Sequence, residues 1–385
     1  MTYRVAIVGA GPSGFYAADG LLRAGLDLHI DLIDRLPTPF GLVRAGVAPD
    51  HQGTKAVARQ FDKILVHEDV RFCGNVEVGR DVAWDELREH YAAVIVATGR
   101  TIDRRLGVPG DDLPHVWGSW RFVAWLNGHP DFRAGPDLGE VAKVAVIGNG
   151  NVALDVARVL AKSAEEMAKS DIVPEAAAAI ASAPIADIHV VGRRGPEHAS
   201  FTNNELGEMG RLARAVAVTD ATALKVTLPS SDSTPEKLRK GKNLEILKGF
   251  STNRPGGKPI TVHFEFNKPT KAIAAGEYDL VITCIGYDGE PYPAGEGIFV
   301  VGWARRGPTG TIPTNRADSH AVAQQVVAWL KDRDPKSGTD IMPECVDAAG
   351  WHRIDRAEIA AGAVTGRPRV KLTDRARLLA VAQGD

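Results

Sequence analysis

The sequence predicts an α/β protein in which one strand–turn–helix unit occurs twice, and three observations support this. Residues 3–8 form an apolar run of buried-strand length, followed by a glycine-rich turn over 9–14 and a helical stretch to about residue 23. The same order returns with a strand over 141–147, a second glycine turn over 148–153 and a helix over 152–167. The length of 385 residues leaves room for two or three domains.

Further apolar runs follow each unit. After the first, the sequence predicts strands over 28–33, 70–78 and 91–99 and a helix over 54–66, with an irregular stretch over 35–52. After the second, it predicts strands over 188–191, 278–285 and 297–301 and a helix over 314–332. Residues 220–260 mix serine, proline, lysine and glycine, and we assign them no elements. Alternating strands and helices predict parallel sheets, so we expect two Rossmann-like dinucleotide-binding domains.

Composition narrows the possible functions. The 46 basic and 48 acidic residues give a net charge of −2, which excludes a chain-wide basic surface for nucleic acid. Cys73, Cys284 and Cys345 are far apart and form no CxxC pair, so we expect neither a dithiol redox centre nor an iron–sulfur cluster, and no other metal site. The sparse cysteines, the lack of an apolar run that could span a bilayer and a first strand at residue 3 predict a cytoplasmic protein.

The first glycine turn, Gly9-x-Gly11-x-x-Gly14, has the chemistry of a dinucleotide site. Glycines allow the backbone to approach a pyrophosphate, which then lies at the positive N-terminus of the following helix. Asp34 ends the next strand, about 20 residues further on, where a carboxylate can accept hydrogen bonds from ribose hydroxyls. The alternative is a strand–turn–helix without ligand, in which the aspartate only caps the turn.

The second turn, Gly148-x-Gly150-x-x-Ala153, is followed by a strand that ends in Arg193 and Arg194 instead of an acid. Two guanidinium groups can bind a 2′-phosphate that a carboxylate would repel, so this site predicts NADP(H) rather than NAD(H). Arg193 comes about 40 residues after the turn instead of about 20, so residues 163–186 must form an extra helix or loop. A solvated arginine pair is the alternative. Together the two sites suit a flavin and a nicotinamide.

Four longer motifs resemble adrenodoxin reductase-type ferredoxin–NADP reductases, including the mycobacterial branch. They are residues 36–51 (LPTPFGLVRAGVAPDH), 148–158 (GNGNVALDVAR), 302–310 (GWARRGPTG) and 366–372 (GRPRVKL). The resemblance covers most of the chain, whereas residues 220–300 are shorter than the family usually has there. It implies an FAD enzyme that oxidises NADPH and passes electrons singly to a small, acidic iron–sulfur ferredoxin.

The resemblance also implies roles for individual residues. Besides the first glycine turn, the expected FAD contacts are Ser13, Asp34 (where the family usually has glutamate), Leu42, Val78, Trp303, Gly310, Thr311 and Ile312, with Gly310 also near the nicotinamide. The expected NADP contacts are Arg104, Asn149, Gly150, Asn151, Val152, Arg193, Arg194 and Glu205. His51 and Glu208 match a catalytic pair beside the junction of flavin and nicotinamide.

Some of these residues have structural alternatives. Thr202-x-x-Glu205 has the pattern of a capping box, in which the glutamate accepts a hydrogen bond from the Thr202 amide. His51 could be an ordinary loop histidine, and Trp303 could be a core aromatic residue at a strand end.

The motifs predict an FAD domain formed by residues 1–104 and 287–385, with an NADP domain over 105–286 inserted between them. Because no cysteine pair is expected, electrons must leave for an external acceptor. Arg104–Arg105, Arg305–Arg306 and residues 237–248 are candidate docking cations for an acidic ferredoxin. Alternatives are a flavin monooxygenase or quinone diaphorase, and a non-redox protein that keeps the fold as a binding scaffold.

Overall fold

A computed structural model describes residues 2–228, 231–336 and 339–384 of the chain. The first glycine turn lies between a strand and a helix, as predicted, and the chain then continues through short helices and three more strands. The elements are β1 (Tyr3–Val8), α1 (Pro12–Leu22), β2 (Leu28–Asp34), α2 (Leu42–Ala45), α3 (Gln52–Lys55), α4 (Ala58–Leu65), β3 (Val70–Gly74), α5 (Trp84–His90) and β4 (Ala93–Val96).

A two-residue strand then leads to the elements of a second sheet. They are β5 (Ile102–Asp103), β6 (Val116–Gly118), α6 (Ser119–Leu126), β7 (Lys143–Ile147), α7 (Asn151–Ala161), α8 (Ala164–Met167), α9 (Pro174–Ser182), β8 (Asp187–Val191), α10 (Asn203–Met209), β9 (Ala215–Thr219), α11 (Thr234–Thr252), β10 (Ile260–Glu265) and β11 (Leu280–Thr283). Short 3₁₀ turns occur at Pro196–His198 and Ala221–Leu224.

The remaining residues return to the first sheet and end in helices. They form β12 (Tyr287–Asp288), β13 (Ile298–Val300), α12 (Gly302–Arg306), α13 (Ile312–Lys331), α14 (Ala348–Val364) and α15 (Arg375–Gln383). Helix α13 packs along α1, where Gly20 lies so close to Ala323 that a side chain at position 20 would collide with it.

Each glycine turn follows the central strand of a parallel sheet. The first sheet has the order β13-β4-β1-β2-β3 and the second the order β6-β11-β7-β8-β10-β9, with every neighbouring pair parallel. Carboxyl ends of parallel strands meet at one edge of a sheet, where doubly wound folds bind ligands. Each sheet carries its own buried apolar cluster, so each has its own core.

The two sheets are linked by the antiparallel pair of β5 and β12, in which Asp103 is opposite Tyr287. Strands before Ile102 and after Asp288 belong to the first sheet, and strands between them belong to the second. Both carboxylate oxygens of Asp103 accept hydrogen bonds from the first turn of α6, at Trp120 and Arg121. This arrangement supports domain boundaries at residues 104 and 286, which we retain as a proposal.

The structure corrects two details of the predicted elements. The predicted helix over 152–167 is two helices, because the Ser163 hydroxyl accepts a hydrogen bond from the Glu166 amide and the Glu166 carboxylate accepts one from the Ser163 amide. Residues 163–186, predicted as extra helix or loop, contain α8 and α9. Residues 220–260, left unassigned, contain the 19-residue helix α11.

Candidate functional site

The first glycine turn has a backbone that only glycine can follow closely. Gly9 has a φ of +113°, and a Cβ atom there would lie 2.5 Å from the carbonyl oxygen of Ala97. A Cβ at Gly14 would lie 2.1 Å from the Gly9 carbonyl oxygen. The Gly9 amide donates to the Ile33 carbonyl at the end of β2 (2.7 Å), which brings the turn beside the predicted ribose-binding position.

Asp34 fixes this corner of the first sheet. One of its carboxylate oxygens accepts a hydrogen bond from the Ala10 amide (2.9 Å) and the other from the Leu36 amide (2.9 Å). Burial raises the pKa of Asp34, and the two amide bonds counteract that shift. The carboxylate therefore connects the glycine turn to the loop after β2 through hydrogen bonds. Asp34 also lines the cleft between the two turns.

The second turn is built in the same way but has no acid at the matching position. The Gly148 amide donates to the Val191 carbonyl at the end of β8 (2.9 Å), as Gly9 does to Ile33. The residue after Val191 is Gly192, where the first site has Asp34, and the Asn149 side chain fills the space that a side chain at 192 would need. Arg193 and Arg194 follow.

Both of these arginines are exposed, and neither guanidinium has a carboxylate partner within the described residues. A cation pair without internal partners at the carboxyl end of β8 is available to an external anion. The predicted contrast between an acid-ended and an arginine-ended second strand is therefore present in three dimensions.

A cleft of about 720 Å³ joins the two turns. Helices α1, α7 and α13 are among those that begin at its wall, since its lining includes Pro12 and Ser13 of α1, Asn151 and Val152 of α7, and Ile312 and Pro313 of α13. Helix N-termini carry partial positive charge and unpaired amide groups that suit phosphates and other anions. The predicted site residues that line the cleft are Gly9, Gly11, Ser13, Asp34, Leu42, His51, Asn151, Val152, Glu205, Trp303, Gly310, Thr311 and Ile312.

Other predicted site residues lie outside this lining. Gly14 is buried behind the Gly9 carbonyl, and Val78 packs against the buried cluster that contains Val76 and Val82. Arg104 lies on the β5–β12 link and donates to Asp288 (3.0 Å). Asn149, Gly150, Arg193 and Arg194 extend from the cleft along the edge of the second sheet, and Glu208 lies one turn beyond Glu205 on α10. Their cofactor contacts stay predictions.

His51 lies within a group of carboxylates from the second sheet's helices. Its Nδ1 atom is 3.7 Å from an Asp155 oxygen, and its Nε2 atom is 3.3 Å from Glu205 and 3.6 Å from Glu208. It is therefore not an isolated loop histidine. The predicted pair of His51 and Glu208 is brought together, with two further acids beside it.

Glu205 does not complete the predicted capping box. The Thr202 hydroxyl accepts a hydrogen bond from the Glu205 amide, but the Thr202 amide donates to the Asn151 side chain (2.9 Å). The Glu205 carboxylate points to Arg158 (3.1 Å) and His51 instead. Because Asn151 takes over the capping bond, the glutamate is free to line the cleft. Its pKa is raised by burial.

Asp155 and Arg158 belong to this site and were missed by the sequence analysis. The Arg158 side chain is fully buried and contacts Asp50 (2.8 Å), Asp155 (2.8 Å) and Glu205. Burial raises the pKa of Asp155 to about 6, although Arg158 and His51 both oppose the shift. The sequence does contain a signal for this pair. Asp155 and Arg158 are the charged residues of the otherwise apolar stretch after the second turn, and their spacing of three places them on one face of a helix.

Aromatic residues form the opposite side of the cleft. Trp303 stacks near Tyr287, with ring centroids 6.3 Å apart, and its indole N–H donates to the Thr309 carbonyl (3.0 Å). Trp303 opens α12 rather than ending a strand, and it lines the cleft, so it is not a core aromatic residue. Tyr287, Trp120 and Asn315 also line the cleft and were not predicted.

The cleft fits a flavin dinucleotide. Gly9, Gly11 and Gly41 all line it, so bare backbone is accessible where a pyrophosphate must approach closely. A Cβ at Gly41 would lie 2.9 Å from the Cα of Gly11, and Gly41 has a φ of +45°, so this position needs glycine. The N-terminus of α1 also lines the cleft, and so do Trp303 and the start of α13, which offer an aromatic face and a helix N-terminus to a ring system.

Two groups of histidine and carboxylate side chains in the described part of the chain could share a cation. One is His51 with Glu205 and Glu208. The other joins Asp187 and His189 of β8 to His263 of β10, where His263 lies 2.7 Å from Asp187. Histidine–carboxylate contacts account for both groups, and the expectation of no metal site stays a prediction.

Comparison with known proteins decides the family. The sequence profile of the pyridine nucleotide-disulphide oxidoreductases matches residues 3–189. The chain is 36% identical to NADPH-ferredoxin reductase FprA of Mycobacterium tuberculosis, over 99% of both chains. This chain belongs to the ferredoxin–NADP reductase family. It is also 39% identical to a probable ferredoxin/ferredoxin–NADP reductase of Mycobacterium bovis, over 98% of this chain and 75% of that protein.

A solved structure agrees with this assignment. The structure of Mycobacterium tuberculosis FprA in complex with NADPH matches the whole of both chains with a TM-score of 0.90 and 35% identity. The predicted family, fold class and oxidoreductase activity are therefore confirmed. No helix in the described residues has both the length and the apolar character to cross a bilayer. The cytoplasmic location stays a prediction.

Proposed function

We propose that this ferredoxin–NADP reductase holds FAD on the first glycine turn, takes electrons from NADPH bound at the second, and delivers them to a small, acidic iron–sulfur ferredoxin. The observation that carries the proposal is the single cleft at which α1, α7 and α13 all begin. Both dinucleotide sites open into it, so two cofactors can meet there. Bound FAD supplies the ability to accept two electrons from a nicotinamide and to release them one at a time.

The first site would hold FAD by several groups. Gly9 and Gly11 leave room for the pyrophosphate at the α1 N-terminus, and Asp34 offers carboxylate lone pairs to the ribose. Trp303, Gly310 and Thr311 would lie along the ring system. Thr311 is the N-cap of α13, so the positive end of a 20-residue helix faces that region.

The second site would hold NADP(H) at Asn151 and Val152 and select its 2′-phosphate through Arg193 and Arg194. Gly192 removes the acid that would repel the phosphate. Glu205 lines the cleft beside His51, between the second turn and the first sheet.

His51 and Glu208 act in this proposal as positioning residues. Because three carboxylates surround the imidazole, its orientation is set by helices of the second sheet, although His51 itself lies at the start of α3. It can orient the nicotinamide where the two domains meet. His51→Ala is expected to weaken NADPH binding or slow flavin reduction; if both constants stayed unchanged, this role would be excluded.

Most of the candidate docking arginines already form ion pairs with carboxylates of the same chain. Arg104 pairs with Asp288, Arg105 with Asp111, and Arg305 with Asp318. Lys242 and Lys248 of α11 are exposed, with no carboxylate partner among the described residues. Electrostatic docking of an acidic ferredoxin therefore predicts only a moderate dependence of its reduction rate on salt.

The acceptor can be tested directly. Holoenzyme is reduced anaerobically with one equivalent of NADPH and mixed with oxidised ferredoxin, and both chromophores are followed by absorbance. We expect the flavin to be reoxidised as about two equivalents of a one-electron ferredoxin are reduced. A flavin that stays reduced with ferredoxin, but is reoxidised by quinones or by oxygen with hydroxylation of a substrate, would instead support the diaphorase or monooxygenase alternative.

A further inference from the structure

Two cysteines that are far apart in the sequence are neighbours in the fold. Gly74, at the end of β3, forms an isolated antiparallel bridge with Val346, and the two residues exchange both backbone hydrogen bonds at 2.9 Å. Cys73 and Cys345 each directly precede one of the bridged residues. Because side chains alternate along extended chains, both cysteines lie on the same face of the bridge. The sequence analysis expected no dithiol centre because the cysteines are far apart along the chain, but the fold makes these two neighbours.

The two thiols are neighbours, and they differ in access. Cys73 belongs to the apolar cluster around Val76 and Val82 and Cys345 packs against it, so the Cys73 side chain acts on that of Cys345 as a hydrogen-bond donor. Cys73 is fully buried, whereas Cys345 is half-buried. A small reagent can therefore reach the pair from the Cys345 side. Cys284, the third cysteine, belongs to the second sheet and contacts Gly148.

The surroundings make the two sulfur atoms chemically unequal. The hydrogen bond from Cys73 lowers the pKa of Cys345, and the Arg71 guanidinium acts in the same direction against the cost of burial. The same hydrogen bond and burial raise the pKa of Cys73. Arg71 is held in place by Asp31 and Asp340. A half-exposed thiol of lowered pKa beside a buried thiol is the arrangement of an attacking and a resolving cysteine.

We propose that Cys73 and Cys345 are a peroxide-sensitive dithiol whose oxidation to a disulfide fastens the segment around Val346 to the edge of the first sheet. In the first step, the Cys345 thiolate attacks hydrogen peroxide; an S–O bond forms, the O–O bond breaks, and after protonation one water leaves. In the second, Cys73 loses its proton and attacks the Cys345 sulfenic acid, so that an S–S bond forms and a second water leaves. Two thiols are oxidised by two electrons, and one peroxide is reduced to two waters.

The position of the disulfide determines what it does. Strand β3 is the edge of the first sheet, and Gly74 is paired with Asp34 in its register with β2. The bond would therefore close a loop over residues 74–344 and hold the segment before α14 against the strand next to Asp34. Neither sulfur atom lines the cleft, so the pair is separate from the flavin site and leaves the need for an external electron acceptor unchanged.

The test uses reduced, flavin-loaded protein treated with hydrogen peroxide and then alkylated under denaturing conditions. We expect free thiols to fall from three to one, a tryptic peptide pair linked through Cys73 and Cys345, and a melting temperature several degrees higher than that of the reduced protein. Dithiothreitol should reverse all three changes. Flavin absorbance of each variant checks that it folds.

Matched variants separate this pair from other thiol chemistry. Cys284→Ser should fall from two thiols to none and show the same rise in melting temperature, whereas Cys345→Ser should form no intramolecular link and show no rise. The proposal is overturned if Cys345 reaches the sulfinic acid while Cys73 stays free, if all three thiols survive millimolar peroxide, or if the link involves Cys284. The outcome is independent of the natural acceptor.

Discussion

At the scale of single residues, one position distinguishes the two dinucleotide sites. The amide of Gly9 and that of Gly148 make equivalent bonds to the ends of β2 and β8, and the next residue is Asp34 in one case and Gly192 in the other. This contrast was visible in the sequence because it lies within short motifs. The buried cluster around Arg158 was not, since its partner Asp50 is more than 100 positions away and only the fold brings the two together.

The charge state of Asp155 predicts a pH dependence. Its pKa is about 6 in the folded protein and about 3.9 in an unfolded chain. Between pH 4 and pH 6 the folded state therefore binds more protons at this residue than the unfolded state. Its contribution to stability consequently falls as pH rises through that window. His51, Arg158 and Glu205 also act on the Asp155 carboxylate.

Asp155→Asn removes this titration. Relative to the wild type, the variant should gain about 1–3 kcal/mol of stability as pH is raised from 4 to 7. Thermal unfolding of both flavin-loaded proteins at each pH gives the difference in their free energies of unfolding. Groups that titrate equally in both proteins do not contribute to this difference. Parallel stability curves for the two proteins would show that Asp155 titrates normally.

At the scale of elements, the longer apolar runs predicted β1, β2, β3, β4, β7, β8, β11 and β13. The short strands β6, β9 and β10 were not predicted, and neither were the apolar helix α6 and the polar helix α11. Strand β1 and its turn have the bounds expected from residues 3–8, because the apolar run and the glycines coincide. Helix α11 was missed because only a few of its residues are buried, so no apolar stripe stands out. The break between α7 and α8 depends on the reciprocal bonds of Ser163 and Glu166, a capping pattern present in the sequence but overlooked.

The first turn predicts the effect of adding a single methyl group. Gly9→Ala places a Cβ atom 2.5 Å from the Ala97 carbonyl and forces an unfavourable φ, so the turn must move away from the position that a pyrophosphate needs. We expect protein that retains little FAD, measured as flavin absorbance per chain after gel filtration.

Gly249→Ala on α11 is the matched control. A Cβ atom there meets nothing within 4 Å, and alanine favours the helix by about 1 kcal/mol. This variant should keep a full complement of flavin. Equal flavin content in the two variants would contradict the assigned role of the first turn.

At the scale of the whole molecule, two buried polar networks hold the parts around the cleft. Asp50 contacts Arg158 and Lys162 on one side. On the other, Lys55 and Lys371 both contact Asp171, at 2.7 and 2.9 Å. The two-part FAD domain could be anticipated from the motif order. The networks could not, because their members come from three separate stretches of the chain.

The proposed function requires that the two sites at the cleft differ. In that proposal, FAD binds at the acid-ended site and NADPH at the arginine-ended one. Bidentate bonds between guanidinium and phosphate contribute roughly 1.5–3 kcal/mol each, so each arginine should account for about a 10- to 100-fold preference for NADPH. Arg254 is exposed and, among the described residues, its side chain bonds only to the carbonyl of Asn253, so Arg254→Ala is the control.

The most direct test is anaerobic flavin reduction by NADPH and by NADH, measured in stopped flow for the wild type, Arg193→Ala, Arg194→Ala and the control. We expect the wild type and the control to prefer NADPH strongly. Each single variant should lose at least tenfold of that preference through weaker NADPH binding, with its reaction with NADH unchanged. Two results would contradict the assignment of NADP(H) to the arginine-ended site. One is a wild-type flavin that NADH reduces as fast as NADPH does, and the other is arginine variants that keep full selectivity.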